Sequence, residues 1–355
     1  MNTSTPFSRR AFLKTTSACT AHLALMATPF PAAARTFWSR RSLGPIRAQE
    51  AFGRLEEIGG GLFAFISTPL GGDYTTVSNG GIIAGRSGVL VVEAFQTTEG
   101  AEWMAQQARR LTGRWPTHVL ITHYHGDHSR GVEGYFQASQ ESEGAGPDRS
   151  PGSEGPQLMA TATTQELTTG HLPDDAPEAL GRRWADVVLV ASEEASILDL
   201  GGRQVRLVPR NGHTASDVSV ELPDEEVTWC GDLVWNGMFP NYMDAVPSRL
   251  SKAVRALHAD QRFLYVPGHG PLANTSDMMR YISVIDGLEE TARAAVREGW
   301  TAEEAGNRHQ IPRNLGEWTL FNPSYFQRAV EAWMQEWDTE GGPRSMRKRP
   351  PRDSG

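Results

Sequence analysis

Residues 122–128 read Thr122-His123-Tyr124-His125-Gly126-Asp127-His128, placing three imidazoles and one carboxylate within six positions. Imidazole nitrogen and carboxylate oxygen are good ligands for Zn²⁺ and similar divalent ions. A lone histidine is more often structural than a ligand, but four such groups this close together point to metal binding. Residues 118–122 form a short apolar run, so the motif stands where a strand turns toward a helix. Side chains at alternate positions converge there, and Gly126 allows the tight turn between them.

Three further islands each offer one ligand beside a glycine at an expected strand end. Gly212-His213 follows a strand at 204–208, Gly231-Asp232 follows one at 227–230, and Gly268-His269-Gly270 follows one at 263–266. Singly they read as turn residues; together, and in this order, they complete a ligand set.

The elements needed to position them are visible in the apolar pattern. Strands are expected at 62–66, 79–84, 89–93, 118–122, 157–161, 196–200, 204–208, 218–222, 227–230 and 263–266. Residues 85–88, Gly85-Arg86-Ser87-Gly88, read as a hairpin turn. Helices are expected at 98–111, with Met104, Ala108 and Leu111 on one face, and at 247–259 and 278–298. Strands precede a region of strands mixed with helices, without strict alternation, as two sheets covered by helices would require. Residues 35–59 read as a linker, 138–157 as a flexible insertion rich in Ser, Gly, Glu and Pro, 276–340 as a helical extension, and 341–355 as a basic tail. The aromatic residues of that extension, Trp300, Trp318, Phe321, Tyr325, Phe326, Trp333 and Trp337, read as packing residues.

The chain of 355 residues carries a formal net charge of −8. Without residues 1–34, 31 basic side chains face 42 acidic ones, a charge of −11. That sign disfavours nucleic acid as a partner. No apolar run is long enough for a stable membrane span. The two cysteines, Cys19 and Cys230, make no disulfide scaffold, and Cys230 reads as a small buried apolar residue. Nothing in the sequence selects an oligomeric state.

Residues 8–14, Ser-Arg-Arg-Ala-Phe-Leu-Lys, resemble a twin-arginine (Tat) export signal. A weakly apolar stretch and Pro31-Ala32-Ala33-Ala34 follow, suited to signal peptidase. The resemblance implies a signal peptide over 1–34, the Tat export machinery as a partner, and a periplasmic or extracellular destination.

The ligand islands resemble the metallo-β-lactamase superfamily. Residues 123–128 match its His-x-His-x-Asp-His signature, and Gly212-His213, Gly231-Asp232 and Gly268-His269-Gly270 match its later motifs in order. Asn79-Gly80-Gly81 through Val91-Val92-Glu93 resembles the strand pair that opens the domain, with Glu93 where the family usually has Asp. The likeness spans about 60–275. It implies an α/β architecture, an αββα sandwich, with two Zn²⁺ per chain, or another divalent metal, at one edge. His123, His125 and His213 would hold one ion and Asp127, His128 and His269 the other, with Asp232 between. The activity implied is hydrolysis of a small-molecule substrate (an amide, lactone, ester or thioester) by a metal-bridging hydroxide. Asp127 would also orient the nucleophile or move a proton. The subclass of lactamases with a cysteine ligand has that cysteine where Asp232 stands and a lysine where Trp235 stands, so the resemblance favours the fold and metals over penicillin cleavage. The run from Asp232 to Ala245 resembles a subgroup of exported bacterial hydrolases, which makes Tyr124, Asn236 and Tyr242 candidates to face substrate. Alternative readings within the superfamily are a mononuclear iron oxidoreductase acting on thiols or persulfides, and a phosphodiesterase.

Overall fold

A computed structural model describes residues 44–143, 155–172, 176 and 178–339. The twin-arginine-like segment, most of the 138–157 insertion and the basic tail lie outside the described residues.

The first sheet has eight strands in chain order: β1 Ile46–Glu50, β2 Gly53–Gly59, β3 Leu62–Ser67, β4 Gly80–Ala84, β5 Val89–Val92, β6 His118–Leu120, β7 Gln157–Thr161 and β8 Val188–Val190. Strands β1–β5 pair antiparallel and β5–β8 parallel. The second sheet contains β9 Ser196–Asp199, β10 Gln204–Pro209, β11 Val218–Leu222, β12 Val227–Trp235 and β13 Leu264–His269, ordered β13-β12-β11-β10-β9. Only the β12–β13 pair of this sheet is parallel. The helices are α1 Thr98–Thr112, α2 Gly126–Ser129, α3 Glu133–Glu143, α4 Ala162–Gly170, α5 Glu178–Ala185, α6 Pro247–Ala259, α7 Thr275–Glu298, α8 Ala302–Arg308 and α9 Tyr325–Thr339.

The period-two alternation of strand side chains sorts the apolar residues into three packing layers. Leu62, Ala64 and Ile66 of β3 and Leu90 and Val92 of β5 face Val218, Val220, Val227 and Trp229 across the two sheets. Phe63, Phe65, Val89 and Val91 point the other way, onto Ala101, Met104 and Ala108 of α1 and Tyr135 of α3. The far side of β12 packs on Leu250 and Val254 of α6, Tyr281 and Leu288 of α7, and Tyr325 and Trp333 of α9. Helix, sheet, sheet, helix is therefore the layer order, as expected. No described helix is long and apolar enough to cross a membrane.

Several expectations need correction. Residues 138–143, read as part of a flexible insertion, close α3, and His269 lies at the end of β13 rather than after it. Residues 46–59 are not a linker but form β1 and β2. Their hydropathy hides this because β2 buries a charged pair, with Arg54 Nε donating to Glu56 Oε1 at 2.6 Å on the face opposite Leu55. The short β8 also went unforeseen. The strand expected at 227–230 runs on to Trp235, so Asp232 lies within β12 rather than after it. The hairpin at 85–88 forms as expected, with Gly85 N donating to Gly88 O at 2.8 Å.

Trp229 ties the layers together. Its ring is 1 % exposed in the inter-sheet core, and its Nε1 donates to Gly80 O of β4 at 3.0 Å. Trp229→Ala leaves a large cavity and should cost ~3–5 kcal/mol of unfolding free energy. Denaturant unfolding checks this, and a loss below ~1 kcal/mol would contradict the assigned inter-sheet role.

Candidate metal centre

The dense motif lies at the end of β6, and all its candidate ligands reach one place. His123 follows the strand, His125 occupies the N-cap position of the single-turn helix α2, and α2 itself carries Asp127 and His128. From the second sheet come His213 in the β10–β11 loop, Asp232 on β12 and His269 at the end of β13. The sheets are laced together here. Val218 N donates to Thr122 O at 2.9 Å, and Asn79 N donates to Gly268 O at 2.8 Å. The Asn79 amide adds bonds to Pro267 O and Gly270 O at 2.9 and 2.8 Å.

Two glycines permit the approach of these strands. Gly231 has φ +54°, and a Cβ there would stand 2.7 Å from Thr122 Oγ1. A Cβ on Gly268 would stand 1.8 Å from Asp232 Oδ1. Both positions demand glycine for space, and the first also for its left-handed backbone.

The ligand atoms fall into two groups, each lying within 4.8 Å among its own members. One is His123, His125, His213 and Asp232; the other is Asp127, His128 and His269. Asp232, 3 % exposed, divides its carboxylate between them. Its Oδ2 is 3.8 Å from His123 Nε2 and 3.4 Å from His213 Nε2, while its Oδ1 is 3.1 Å from His128 Nε2 and 3.4 Å from His269 Nε2. His269 Nε2 also lies 3.3 Å from Asp127 Oδ2.

Several of these atoms are fully buried with no hydrogen bond of good geometry among the described residues: Nε2 of His123, His128 and His269, and Oδ1 of Asp232. Buried polar atoms are normally satisfied, so orphans that converge on one point fit a cation. The electrostatics agree. Burial holds His123 well below the ordinary imidazole range, reinforced by His128, and it takes His213 down to about 3 against the pull of Asp232. A neutral imidazole is the form that offers a lone pair to metal. Burial would also lower His128 and His269, but Asp232 outweighs it with help from Glu93 and Asp127. It lifts His128 well above its usual value and His269 to about 9. Burial would raise Asp232; His269 and His128 instead hold it well below the carboxylate range. Asp232 thus favours positive charge on His128 and His269. A divalent ion fits the same place.

Outer partners orient the rings. His128 Nδ1 lies 3.0 Å from Glu93 Oε1. Glu93 also accepts from Thr122 Oγ1 at 2.5 Å, and Thr122 Oγ1 is 3.1 Å from His123 Nδ1. The glutamate found where the family usually has aspartate therefore does reach a ligand, from a backbone at φ +75° that non-glycine residues seldom adopt. His125 Nε2 is 2.9 Å from Asp244 Oδ2. Burial would raise Asp244, but hydrogen bonds from His125 and Tyr124 take it down to about 2. Asp217 anchors the His213 loop by accepting from Gly212 N, Thr214 N and Thr214 Oγ1 at 2.9, 2.8 and 2.9 Å. Asp244 and Asp217 were not foreseen. Asp217, four positions after His213 in a turn, carried a local signal; Asp244, 119 residues from His125, carried none.

The three substrate candidates part ways. Tyr124 stays half-buried beside the site, its ring 4.7 Å from His125 and stacked at 5.5 Å on His171. Asn236 is buried and spends its amide on Pro271 O and Leu272 O, both at 3.0 Å, so it fastens the turn after His269 instead of facing substrate. Tyr242 is buried in the helical layer and stacks on Phe239, so it too is a packing residue. Cys230 is buried and free, as expected, and burial pushes its thiol up.

Residues 74–282, more than half of the chain, match the family model described as the metallo-beta-lactamase superfamily. Three similar solved structures bear metallo-beta-lactamase names. The enzyme from Erythrobacter litoralis, with beta mercaptoethanol in its active site, is 16 % identical; the match covers 67 % of this chain and 98 % of that one, at a TM-score of 0.51. The enzyme from Pontibacter korlensis is 20 % identical over 66 % of this chain and 99 % of that one, at 0.50. FIM-1 from Pseudomonas aeruginosa, in its mono-zinc form, is 16 % identical over 66 % and 95 %, also at 0.50. At these identities the likeness is one of fold. No curated protein matches the chain.

Asp244→Asn keeps the size of the side chain but removes the charge that faces His125. Metal affinity at the first group should fall ~10–100-fold, as for other carboxylate partners of ligating histidines. Competition with a chromophoric chelator measures it, and an unchanged affinity would remove Asp244 from the site.

Proposed function

The chain belongs to the metallo-beta-lactamase superfamily and is a metal-dependent hydrolase, and we propose that it holds two zinc ions and cleaves a small amide, lactone, ester or thioester. The observation that carries the two-ion reading is the divided carboxylate of Asp232, one oxygen toward each group of imidazoles. His123, His125 and His213 would hold one ion, and Asp127, His128 and His269 the other. Two divalent cations supply a hydroxide nucleophile near neutral pH and polarise the oxygen of the bond under attack.

The protein's own part is to fix and shield that chemistry. Asp244, Glu93 and Thr122 hold ring orientations. Asp127, on α2 and the more exposed of the two ligand carboxylates, would orient the nucleophile or move a proton. Trp235 stands where a cysteine-ligand lactamase would carry lysine. Its ring is buried 4.1 Å from His269 and offers no charge to grip a lactam carboxylate. That favours substrates without the penicillin carboxylate. The charge of −11 without residues 1–34 supports a small substrate over nucleic acid. Export through the twin-arginine route to the periplasm or beyond belongs to the same proposal, on the strength of residues 8–14.

Elemental analysis of the purified chain, prepared without added metal or chelator, tests the reading. About two zinc ions per chain are expected for a two-metal site, with turnover of a lactam, lactone, ester or thioester in a substrate panel. One iron ion per chain with oxygen-dependent thiol oxidation would overturn it. Asp232→Asn should lower metal content and reduce hydrolysis more than ~100-fold, beyond the loss of an outer partner. Full activity in that variant would exclude a bridging carboxylate.

A further inference from the structure

The imidazoles divide by how their outward nitrogens are held. His123 Nδ1 and His125 Nε2 lie at hydrogen-bond distance from Thr122 Oγ1 and Asp244 Oδ2, 3.1 and 2.9 Å, and His128 Nδ1, though outside hydrogen-bond geometry, lies 3.0 Å from the Glu93 carboxylate. The Nδ1 atoms of His213 and His269 are buried with no hydrogen-bond partner among the described residues. Both of these rings pack instead on Trp235, with centroids 6.5 and 4.1 Å away. Trp235 Nε1 is itself buried without a hydrogen-bond partner among the described residues, so none of them fixes that ring by a polar bond.

What braces Trp235 comes from the far C-terminal part of the chain. Phe321, 7 % exposed, stands edge-on to Trp235 at 6.0 Å and 86°, and edge-on to His269 at 6.2 Å and 82°. Tyr325 of α9 meets Trp235 at 6.5 Å and 73°. The backbone sets this position. Beyond β12, Phe239 N donates to Thr319 O at 2.9 Å and Thr319 N donates to Gly237 O at 3.0 Å, forming a parallel bridge between Met238 and Thr319. Phe321 lies two residues beyond that bridge, outside the residues 74–282 that match the family.

We propose that Phe321 is a positioning residue for the second metal, acting through Trp235 and His269. The inference rests on the two-metal reading above. A ligating imidazole without an outer hydrogen bond keeps its ring orientation only through packing, and a ligand free to turn binds metal more weakly. The superfamily domain here thus borrows part of its metal site from the helical extension, and that extension governs occupancy of the second position more than of the first. His123 and His125 do not touch this brace, and His213 meets only the indole, at 6.5 Å, whereas His269 meets both the indole and Phe321, so the first ion depends on it less.

The experiment is stepwise Zn²⁺ titration of the metal-stripped full chain by calorimetry with chelator competition. Phe321→Ala should weaken the second zinc ~10–100-fold and the first by much less. Phe321→Leu, a milder change that keeps the segment packed, should weaken it less but in the same direction. Trp337→Ala is the structural control. Trp337 packs on Trp333 and under Arg293 in the same helical layer, and its loss should lower thermal stability while both zinc affinities hold. The inference is overturned if both ions bind the Phe321 variants as they bind wild type, or if Trp337→Ala weakens the second zinc equally. Wild-type chain that takes up no zinc would instead overturn the two-metal reading itself, and this inference with it.

Discussion

A carboxylate buried among four imidazoles is the constraint on which the rest depends. Asp232 sits almost fully out of water between His123, His128, His213 and His269. An isolated buried charge is costly, and it persists only when paired. Its two oxygens face opposite ways, so one counter-charge cannot satisfy both. The Asp232 charge raises the pKa of His128 and His269 on one side, while burial lowers that of His123 and His213 on the other. That asymmetry leaves lone pairs and a carboxylate oxygen aimed at one space, which is the chemistry of a cation site.

The layered fold exists around this point in a specific sense. The dense motif comes from the end of one sheet and the three single ligands from the other, so the site forms only when the sheets pack. The inter-sheet core and the lacing through Asn79, Thr122 and Val218 bring them within reach. Gly231 and Gly268 remove the side chains that would keep Asp232 away. Strain at Glu93 is tolerated where its carboxylate serves both Thr122 and His128. Stability and site geometry are thus set by the same contacts.

Much of the site was legible in the sequence because its ligands are local in type. The run 123–128 is dense enough to read alone, and His213, Asp232 and His269 each sit beside a glycine near a strand end. The partners of those ligands were less legible. Asp244 meets His125 across 119 residues, and no spacing rule joins them. Asn236 and Tyr242 share a polar, aromatic stretch with the site, yet backbone carbonyls and helix packing claim them. Strand β2 was hidden because it buries Arg54 against Glu56, which defeats a reading by hydropathy. The termination of β12 was misplaced because Gly231 looked like a stop, whereas it is an irregularity within a continuing strand. For Asp244 and Asn236 a long-range pairing overrode the local pattern; for β2 a buried pair two residues apart did.

The central claim is that Asp232 lies between two metal positions. Anomalous diffraction at the zinc edge from crystals of the zinc-loaded chain tests it most directly. The account predicts two anomalous peaks, one ringed by His123, His125 and His213 and the other by Asp127, His128 and His269, with one Asp232 oxygen directed at each. A single peak, or a pair with Asp232 turned away from either, would contradict it.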